Sequence, residues 1–380
     1  MRKLLILMFQ LLVVLSLRGQ GSKNKTAHAN DHVTSITENE LSAHLRFLAS
    51  DAMQGRKVGS AFELLAAEYL AAQYRAMEVW PLQTPGGKLN PYLQSFDFTL
   101  SQSKGKSQNV VAWLEGSDPE LKKEYLLVTA HYDHLGTGSK TGNDSIFNGA
   151  ADDASGTVAL LEIAQALTAA KKAGVKFKRS IVFIHMGGEE SGLLGSNYWV
   201  SNQPLVPLEQ TKAIINMDGV GGTDKPQAAN ANNYVYVLVN DSTSGPLDKA
   251  AAKLNSEMQV NLDLLQPENP QQFMSDNKPF EYELVPSIYF STGLTEHYHK
   301  VSDEPQTINY THMAKIVRLV YLFTAELANA SEIKSVRSAY AKTGEYFCPP
   351  CGCASDKKVF YQAGVCADCR MTLEPRWRAK

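Results

Sequence analysis

The spacing of apolar and polar residues first indicates helices. Apolar side chains that repeat at three- and four-residue steps lie on one face of a helix. The helices predicted in this way cover residues 38–48, 61–77, 155–172 and 310–328. In the third of them, Val158, Leu161, Ala164 and Leu167 form the apolar face. Each helix is therefore expected to pack one side against a core.

Continuous apolar runs between the helices predict strands. These strands are Asn109–Leu114, Leu126–Ala130, Ile181–Met186, Ala213–Met217, Tyr234–Val239 and Ser287–Phe290. Apolar strands that alternate with helices are typical of a mostly parallel sheet covered on both faces. The sequence therefore predicts an α/β fold, a three-layer αβα sandwich around a mostly parallel central sheet. Functional residues of such folds gather in loops beyond the carboxyl ends of the strands.

Other stretches break this pattern. Residues 22–37 are polar and are expected to be loose, and the prolines and glycines of residues 81–92 predict a loop. Residues 330–346 are again polar and are predicted to be a linker. The main domain is therefore predicted to cover residues 36–329, and a separate segment is expected over residues 347–373.

The first 20 residues predict a signal peptide. A short basic start, Arg2-Lys3, precedes an apolar run from Leu4 to Leu17, and small or polar residues follow from Gly19 to Ser22. The run is shorter than the roughly 18–20 residues that span a bilayer. The sequence therefore predicts a secreted or periplasmic protein with no stable membrane span after cleavage. A membrane anchor that is kept is the alternative.

Composition narrows the partners. Of 380 residues, 44% are hydrophobic and 20% are charged, as in ordinary globular proteins. The 37 basic and 39 acidic residues give a net charge of -2. This balance gives no support for nucleic acid or an anionic membrane as a partner. All five cysteines lie between Cys348 and Cys369, so the main domain depends on its core alone.

Five short segments carry the candidate chemistry. They combine His, Asp and Glu with small or turn-forming residues, and three of them follow a predicted strand. The segments are Ala130–His134, Gly149–Gly156, Gly187–Gly192, Asn216–Gly219 and Tyr298–Asp303. Their side chains are hard or borderline metal ligands, so the set favours a two-metal hydrolase.

Each segment alone also has an ordinary interpretation. Asp152 and Asp153 precede a predicted helix, where they could act as a helix cap instead of a metal bridge. Glu189 and Glu190 could be a solvated helix start, or one could bind a metal while the other activates water. Asp133, two residues after His131, could accept a hydrogen bond from the ring nitrogen that faces away from the metal.

The ordered set resembles a known family. His131, Asp152, Glu189-Glu190, Asp218 and His299 follow one another as in the secreted bacterial di-zinc aminopeptidases. Their wider family includes glutamate carboxypeptidase, glutaminyl cyclase and transferrin receptor. The resemblance covers residues 36–328 and includes Leu48–Asp51, Gly55-Arg56, Gly59-Ser60 and Thr292-Gly293.

The resemblance implies a role for each residue. His131 and Asp218 would bind one zinc ion, Glu190 and His299 a second, and Asp152 would bridge them. Glu189 would be the general base that takes a proton from the attacking water. Two further implications are a hydrogen bond from Tyr298 to the oxyanion and a cis peptide bond between Asp152 and Asp153.

The implied reaction is hydrolysis of the N-terminal peptide bond of a peptide with a free N-terminus. A carboxypeptidase would use the same metals but needs cationic groups for the substrate carboxylate. A glutaminyl cyclase would hold a single zinc, and the intact His131-x-Asp133 argues against it. A non-catalytic binding module is expected to lose ligands, which this chain keeps. Asn277 stands where relatives often have His, which affects expectations for the substrate pocket.

The cysteine-rich segment predicts a second type of metal site. Cys348-x-x-Cys351 and Cys366-x-x-Cys369 are separated by 14 residues, a spacing typical of a zinc ribbon with one structural Zn²⁺. Cys353 is a fifth thiol that could replace Cys351 as a ligand. Residues 364–371 also resemble short heavy-metal-binding segments of bacterial proteins. Disulfide pairing is the alternative in an oxidising compartment.

Overall fold

The computed structural model of the chain describes residues 28–82, 90–100, 103–240, 246–348, 352–370 and 372–380. The predicted signal peptide and most of the predicted loop over residues 81–92 lie outside these residues. Of the helices in the described ranges, none combines the length and apolar character needed to cross a membrane.

The structure confirms the helices that were predicted from apolar spacing. Its α-helices are α1 (Glu38–Leu48), α2 (Ala61–Met77), α3 (Ser155–Lys172), α4 (Leu194–Ser201), α5 (Leu247–Glu257), α6 (Asn277–Tyr282) and α7 (Tyr310–Asn329). The four helices predicted from apolar spacing are α1, α2, α3 and α7, with ends that agree to within one residue. Thr37 and Ser60 explain two of the starts, because their side chains accept hydrogen bonds from amides of the first turn.

The strands form one large sheet and two small ones. They are β1 (Trp80–Pro81), β2 (Leu93–Leu100), β3 (Ser103–Leu114), β4 (Tyr125–His131), β5 (Gly136–Thr141), β6 (Asp144–Phe147), β7 (Ser180–Met186), β8 (Thr211–Met217), β9 (Tyr234–Val239), β10 (Asp263–Leu265), β11 (Ser287–Ser291), β12 (Tyr340–Phe347), β13 (Val359–Phe360) and β14 (Glu374–Ala379). The large sheet has the order β1-β3-β7-β4-β8-β11-β9-β10, with β2 paired to β3. Its central strands β7, β4, β8 and β11 are mutually parallel.

Side chains of the central strands alternate between two cores. Leu126 and Val128 of β4 pack into the core that also contains apolar residues of α1, α2, α3, α5 and α7. Leu127 points to the opposite core, together with Trp199 of α4 and Phe280 of α6. This alternation confirms the predicted three-layer arrangement, because each face of the sheet is covered by helices.

Two predicted segment boundaries were wrong. Part of the stretch expected to be loose forms a 3-10 helix, Ala29–Ser35. It is held in place because Tyr321 donates a hydrogen bond to the carbonyl of Ala29. Residues 330–346 are not entirely a linker, since β12 begins at Tyr340 and pairs with β13 and β14. Its polar residues did not indicate a strand because much of β12 is exposed.

The side chain of Arg56 ties together several loops at one edge of the sheet. Its guanidinium group is buried and donates hydrogen bonds of 2.6–3.0 Å to four main-chain carbonyls. The carbonyls belong to Leu48, Tyr132, Asn148 and Gly149. Burial lowers the pKa of Arg56 to about 10, although the nearby carboxylate of Asp133 opposes this shift. The group therefore remains a buried cation at neutral pH.

We expect Arg56→Met to lower the free energy of unfolding by about 3 kcal/mol, because four carbonyls lose a charged donor. Chemical denaturation at fixed metal concentration measures this loss. Lys57→Met, at the exposed neighbouring position, is the control and should change stability by no more than about 0.5 kcal/mol. Equal denaturation midpoints for the two variants would contradict the role of Arg56.

Candidate metal centre

The sheet brings the predicted metal ligands to one edge. Because β4, β7, β8 and β11 are parallel, the segments that follow them meet at their carboxyl ends. His131 is the last residue of β4, and Asp218 directly follows β8. Glu190 lies in the turn after β7, and His299 lies in the segment after β11. Asp152 reaches the same place from the turn before α3.

The carboxylate of Asp152 lies between two imidazoles. Its Oδ1 is 3.2 Å from Nε2 of His131, and its Oδ2 is 3.1 Å from Nε2 of His299. Nε2 of His131 is also 3.6 Å from Oδ1 of Asp218. Nε2 of His299 is 3.1 Å from Oε2 of Glu190. The two oxygens of Asp152 thus face two different pairs of possible metal ligands, as a bridging carboxylate requires.

The main chain around Asp152 is held by neighbouring carboxylates. The Asp152–Asp153 peptide bond is cis, as the resemblance implied. The carboxylate of Asp303 accepts hydrogen bonds from the amides of Ala151 and Asp152, at 2.9 and 3.1 Å. Asp153 points away from Asp152 and accepts hydrogen bonds from the amide of Gly156, in the first turn of α3, and from a second amide beyond β8. Asp153 therefore acts as a helix cap, while Asp152 faces the ligands.

The two adjacent glutamates make different contacts. Glu189, Glu190 and Ser191 form a 3-10 turn that begins after Gly188, whose φ of 74° is left-handed. Glu190 contacts imidazoles, as described above. The amide of Glu189 donates a 3.0 Å hydrogen bond to Oδ1 of Asp133, which fixes the turn. Both glutamates line the same cleft.

Asp133 differs in detail from the prediction. Nδ1 of His131 does face Asp133, but the acceptor within hydrogen-bond distance is the main-chain carbonyl, at 3.3 Å. The Asp133 carboxylate is 3.7 Å from this nitrogen and instead binds the amide of Glu189. The strand ends at His131, so the two-residue alternation used for the prediction no longer holds at Asp133.

His134 lies closer to the ligands than its sequence position suggested. It is buried, and its Nδ1 is 2.7 Å from Oε1 of Glu190 and 4.0 Å from Oδ2 of Asp152. The sequence predicted a packing or supporting role for it. The available signal was its place in the Ala130–His134 segment, directly after Asp133.

Burial and neighbouring charges together set the pKa values of the residues in this centre. Burial lowers the pKa of His299, but hydrogen bonds to Asp152 and Glu190 outweigh it and raise this pKa to about 10. Burial raises the pKa of Asp152, but the imidazoles of His131 and His299 hold it well below its usual value. Burial, together with the charges of nearby carboxylates, raises the pKa of Glu189 well above its usual value. These shifts show that positive charge between the carboxylates is favourable.

The donor set fits zinc. Imidazole nitrogens and carboxylate oxygens are ligands that zinc accepts, and Asp152 belongs to both groups of donors. One group consists of His131, Asp152 and Asp218, and the other contains Asp152 and Glu190 with a histidine. Within the described residues, Oε1 of Glu190 is buried and makes no hydrogen bond of good geometry, although Nδ1 of His134 lies 2.7 Å away; a metal ion would satisfy this oxygen.

For the second histidine, His299 fits the distances better than His134. Zinc ligands at bond lengths of about 2.0–2.2 Å in tetrahedral geometry lie roughly 3.3–3.6 Å apart. Nε2 of His299 is 3.1 Å from both carboxylates, whereas Nδ1 of His134 lies unequally, at 2.7 and 4.0 Å. His134 is therefore better placed to orient Glu190 than to share a metal evenly with it.

Asn277 is the first residue of α6 and is buried. Its side-chain amide donates a 2.6 Å hydrogen bond to Glu281. The preceding Asp276 accepts a 2.6 Å hydrogen bond from Ser196, and Ser275 accepts one from Asn216. The segment Ser275–Phe280 is thus anchored to α4 and β8. The hydrogen bond from Asn277 to Glu281 lies within α6.

A cleft leads to the centre. Asp152, Glu189, Glu190 and Asp218 form part of its wall, and Tyr298 lines it beside them. The ring of Tyr298 stacks on His299 with centroids 3.8 Å apart. Other wall residues are Gln272, Phe273, Met274, Tyr289, Ser291, Leu294 and Thr295. No Lys or Arg is found among the described residues of this wall.

The cysteines form a separate cluster. Sγ atoms of Cys348, Cys353, Cys366 and Cys369 all lie within 4.8 Å of one another. Three of the four predicted ligands are therefore brought together, and Cys353 completes the group. Cys351 lies outside the described residues.

Comparisons with known proteins identify the family to which this chain is similar. Residues 109–324 match the model of a family described as peptidase family M28. A probable leucine aminopeptidase 2 of Aspergillus oryzae is 30% identical over 199 residues, which is 50% of this chain and 35% of that protein. Leupeptin-inactivating enzyme 1 of Streptomyces exfoliatus is 30% identical over 138 residues, or 36% of this chain and 27% of that protein. The matches thus span about a third or less of these relatives.

Solved structures share the fold. An aminopeptidase of Legionella pneumophila, LapA, matches with a TM-score of 0.60 at 22% identity, covering 83% of this chain and 80% of that chain. A zinc aminopeptidase of Bacillus subtilis, BSAP, matches at 0.57 with 18% identity, covering 77% and 95%. Glutaminyl cyclase of Porphyromonas gingivalis matches at 0.57 with 20% identity, covering 77% and 98%. Because both activities occur on this fold, these likenesses establish the fold alone.

We expect Gly156→Ala to disturb the centre without touching a metal ligand. A Cβ atom at Gly156 would lie 2.5 Å from both carboxylate oxygens of Asp153 and 2.6 Å from the carbonyl of Met217. Overpacking of this kind costs about 1–3 kcal/mol, and the displaced Asp153 should reduce zinc content as well as stability. Metal analysis and thermal denaturation measure both. Gly364→Ala, where a Cβ meets nothing within 4 Å, is the control and should match the unaltered protein; identical behaviour of both variants would contradict this role.

Proposed function

This chain belongs to peptidase family M28, and we propose that it is a two-zinc aminopeptidase. Family membership supports the coarser part of this proposal, a metal-dependent peptidase that acts on peptides. The proposal adds that two zinc ions are bound and that the bond cleaved is the one after a free N-terminal residue. We also propose export from the cell, on the basis of the N-terminal sequence.

One observation carries the two-zinc proposal. The two carboxylate oxygens of Asp152 face different histidines, at 3.2 Å for His131 and 3.1 Å for His299. Each histidine in turn faces one further carboxylate, Asp218 or Glu190. A single ion would leave one of these donor groups unused. His131, Asp152 and Asp218 would therefore hold one ion, and Asp152, Glu190 and His299 the other.

Bound zinc would act as a Lewis acid on the peptide carbonyl and would make a water molecule more acidic. Around it, the residues of the chain position and move protons. Glu189 would take a proton from the attacking water and pass it to the leaving amine, as a general base and then a general acid. Asp133 positions Glu189 through the amide hydrogen bond. Tyr298, which lines the cleft, would donate a hydrogen bond to the oxygen that gains charge.

The charge of the cleft favours an aminopeptidase over a carboxypeptidase. A substrate carboxylate needs a cationic partner, but the described wall contains acidic groups and no Lys or Arg. A substrate that is recognised at its N-terminal amine needs no such cationic partner, so a wall without Lys or Arg suits it better. The apolar side chains of Phe273, Met274 and Leu294 offer a surface for the N-terminal residue of the substrate.

We expect Glu189→Gln to reduce turnover by about 10²–10⁴-fold, because the side chain can no longer take the proton. The amide has the same shape and is not a proposed metal ligand, so the zinc content should not change. Steady-state kinetics together with metal analysis test this. Glu296→Gln, at an exposed position two residues before Tyr298, is the control and should retain activity. Full activity of Glu189→Gln would refute its assignment as the base.

Modified peptides test which end of the substrate is recognised. One peptide is compared in three forms: unmodified, N-acetylated and C-amidated. We expect acetylation to abolish cleavage, because it removes the ammonium group, and amidation to have little effect. Chromatography of the products identifies the released residue. The opposite result, with cleavage blocked by amidation, would establish a carboxypeptidase.

A further inference from the structure

The C-terminal module, residues 340–380, has a core that is too small to fold on apolar contacts alone. Its buried residues in the described part are centred on Cys348, Cys366 and Leu373, with Tyr346 and Phe360 packed partly against them. Domains as small as about 40 residues usually need a disulfide or a metal ion, because they bury too little surface. The centre of this core consists of sulfur atoms.

The distances between the sulfur atoms fit one tetrahedral metal ion. Cys348 Sγ is 3.3 Å from Cys369 Sγ and 3.6 Å from Cys353 Sγ, and Cys353 Sγ is 3.8 Å from Cys366 Sγ. Zinc–sulfur bonds of about 2.3 Å in tetrahedral geometry place sulfur atoms about 3.8 Å apart. The four thiols therefore surround a space of the size that zinc requires.

Main-chain amides point at these sulfur atoms. The amide of Ser355 donates to Cys353 Sγ at 3.4 Å, and amides of Asp368 and Cys369 donate to Cys366 Sγ. Such donors stabilise negative charge on sulfur, as thiolate ligands require. Cys353 Sγ also lies 3.4 Å from the carboxylate of Asp356, to which its thiol proton can be donated.

We propose that Cys348, Cys353, Cys366 and Cys369 bind one structural Zn²⁺ ion, separate from the metals of the cleft. On binding, the four thiols become thiolates and release four protons to solvent, and no electrons are transferred. All four coordination positions are occupied by the chain, which leaves no position for a substrate. The ion organises the module, and Cys353 rather than Cys351 is the fourth ligand.

The module is docked on the peptidase domain, so this ion also determines a surface of the enzyme. Trp377 donates a 2.8 Å hydrogen bond to the carbonyl of Tyr282, at the end of α6. Thr372, close to Cys369, accepts a 3.2 Å hydrogen bond from Asn197 of α4. Asn197 also donates to the carbonyl of Gly192, beside the turn that carries Glu189.

Two cysteine variants of the full chain test the ligand set. Native mass spectrometry of the full-length protein counts zinc ions per chain in the unaltered protein, Cys353→Ser and Cys351→Ser. We expect Cys353→Ser to contain one zinc fewer, and Cys351→Ser to contain the same number as the unaltered protein. Because only the difference is used, the result does not depend on how many ions the cleft holds. The reverse pattern, or no difference in either variant, would overturn the proposal.

Cobalt provides a second measurement that needs no variant. When Co²⁺ replaces zinc in the unaltered protein, thiolate ligands give intense charge-transfer absorption in the near ultraviolet, which nitrogen and oxygen ligands do not give. We expect this absorption, and we expect the four cysteines to resist alkylation until the metal is removed. Two disulfides in the unreduced protein, with no thiolate absorption, would overturn the proposal. This readout remains valid if Cys353→Ser fails to fold.

Discussion

The sheet brings several carboxylates together at one edge, where they repel one another. The structure of this edge depends on how that repulsion is offset. Asp152, Glu190 and Asp218 point into one small volume, and Glu189 lies beside them. Two like charges 4 Å apart repel each other by about 4 kcal/mol at an effective dielectric constant of 20. Such an arrangement is stable only with positive charge at its centre. The protein supplies imidazoles there and the Arg56 guanidinium behind them, and the donors fit divalent zinc.

In each of the two adjacent acidic pairs, the two residues have different roles. In the Asp152–Asp153 pair, the first side chain faces the histidines and the second binds amides of the main chain. In the Glu189–Glu190 pair, the second contacts His299, and the first is positioned by its amide. One residue of each pair thus faces the proposed metal centre, and the interactions of the other hold the main chain that orients it. The like charges of neighbours are separated because the main chain turns sharply between them.

Periodic features of the fold could be predicted from the sequence, and non-local contacts could not. Helix α3 was predicted because its apolar side chains repeat over five turns, and Asp218 because it directly follows a buried strand. The strand β2 was missed because polar residues interrupt its apolar residues, so that it has no continuous apolar run. The position of Cys353 among the sulfur atoms and that of His134 beside Glu190 depend on how distant loops meet. From the sequence, Cys353 was only an alternative to Cys351, and His134 had only a packing or supporting role.

Attachment of the C-terminal module rests on few contacts and a short connection. Glu283 is buried and pairs with Arg337 and Lys342, which lie on either side of the start of β12. The guanidinium of Arg337 also lies 5.2 Å from the ring centroid of Trp377. Only a few residues separate α7 from Arg337, so the module has a high effective concentration at its docking surface, of millimolar order for short flexible connections. At an effective concentration of about 1 mM, an interface with a dissociation constant of about 0.1 mM, roughly 5.5 kcal/mol, therefore keeps the module docked about nine-tenths of the time. The covalent connection thus compensates for the small interface by raising the local concentration of the module.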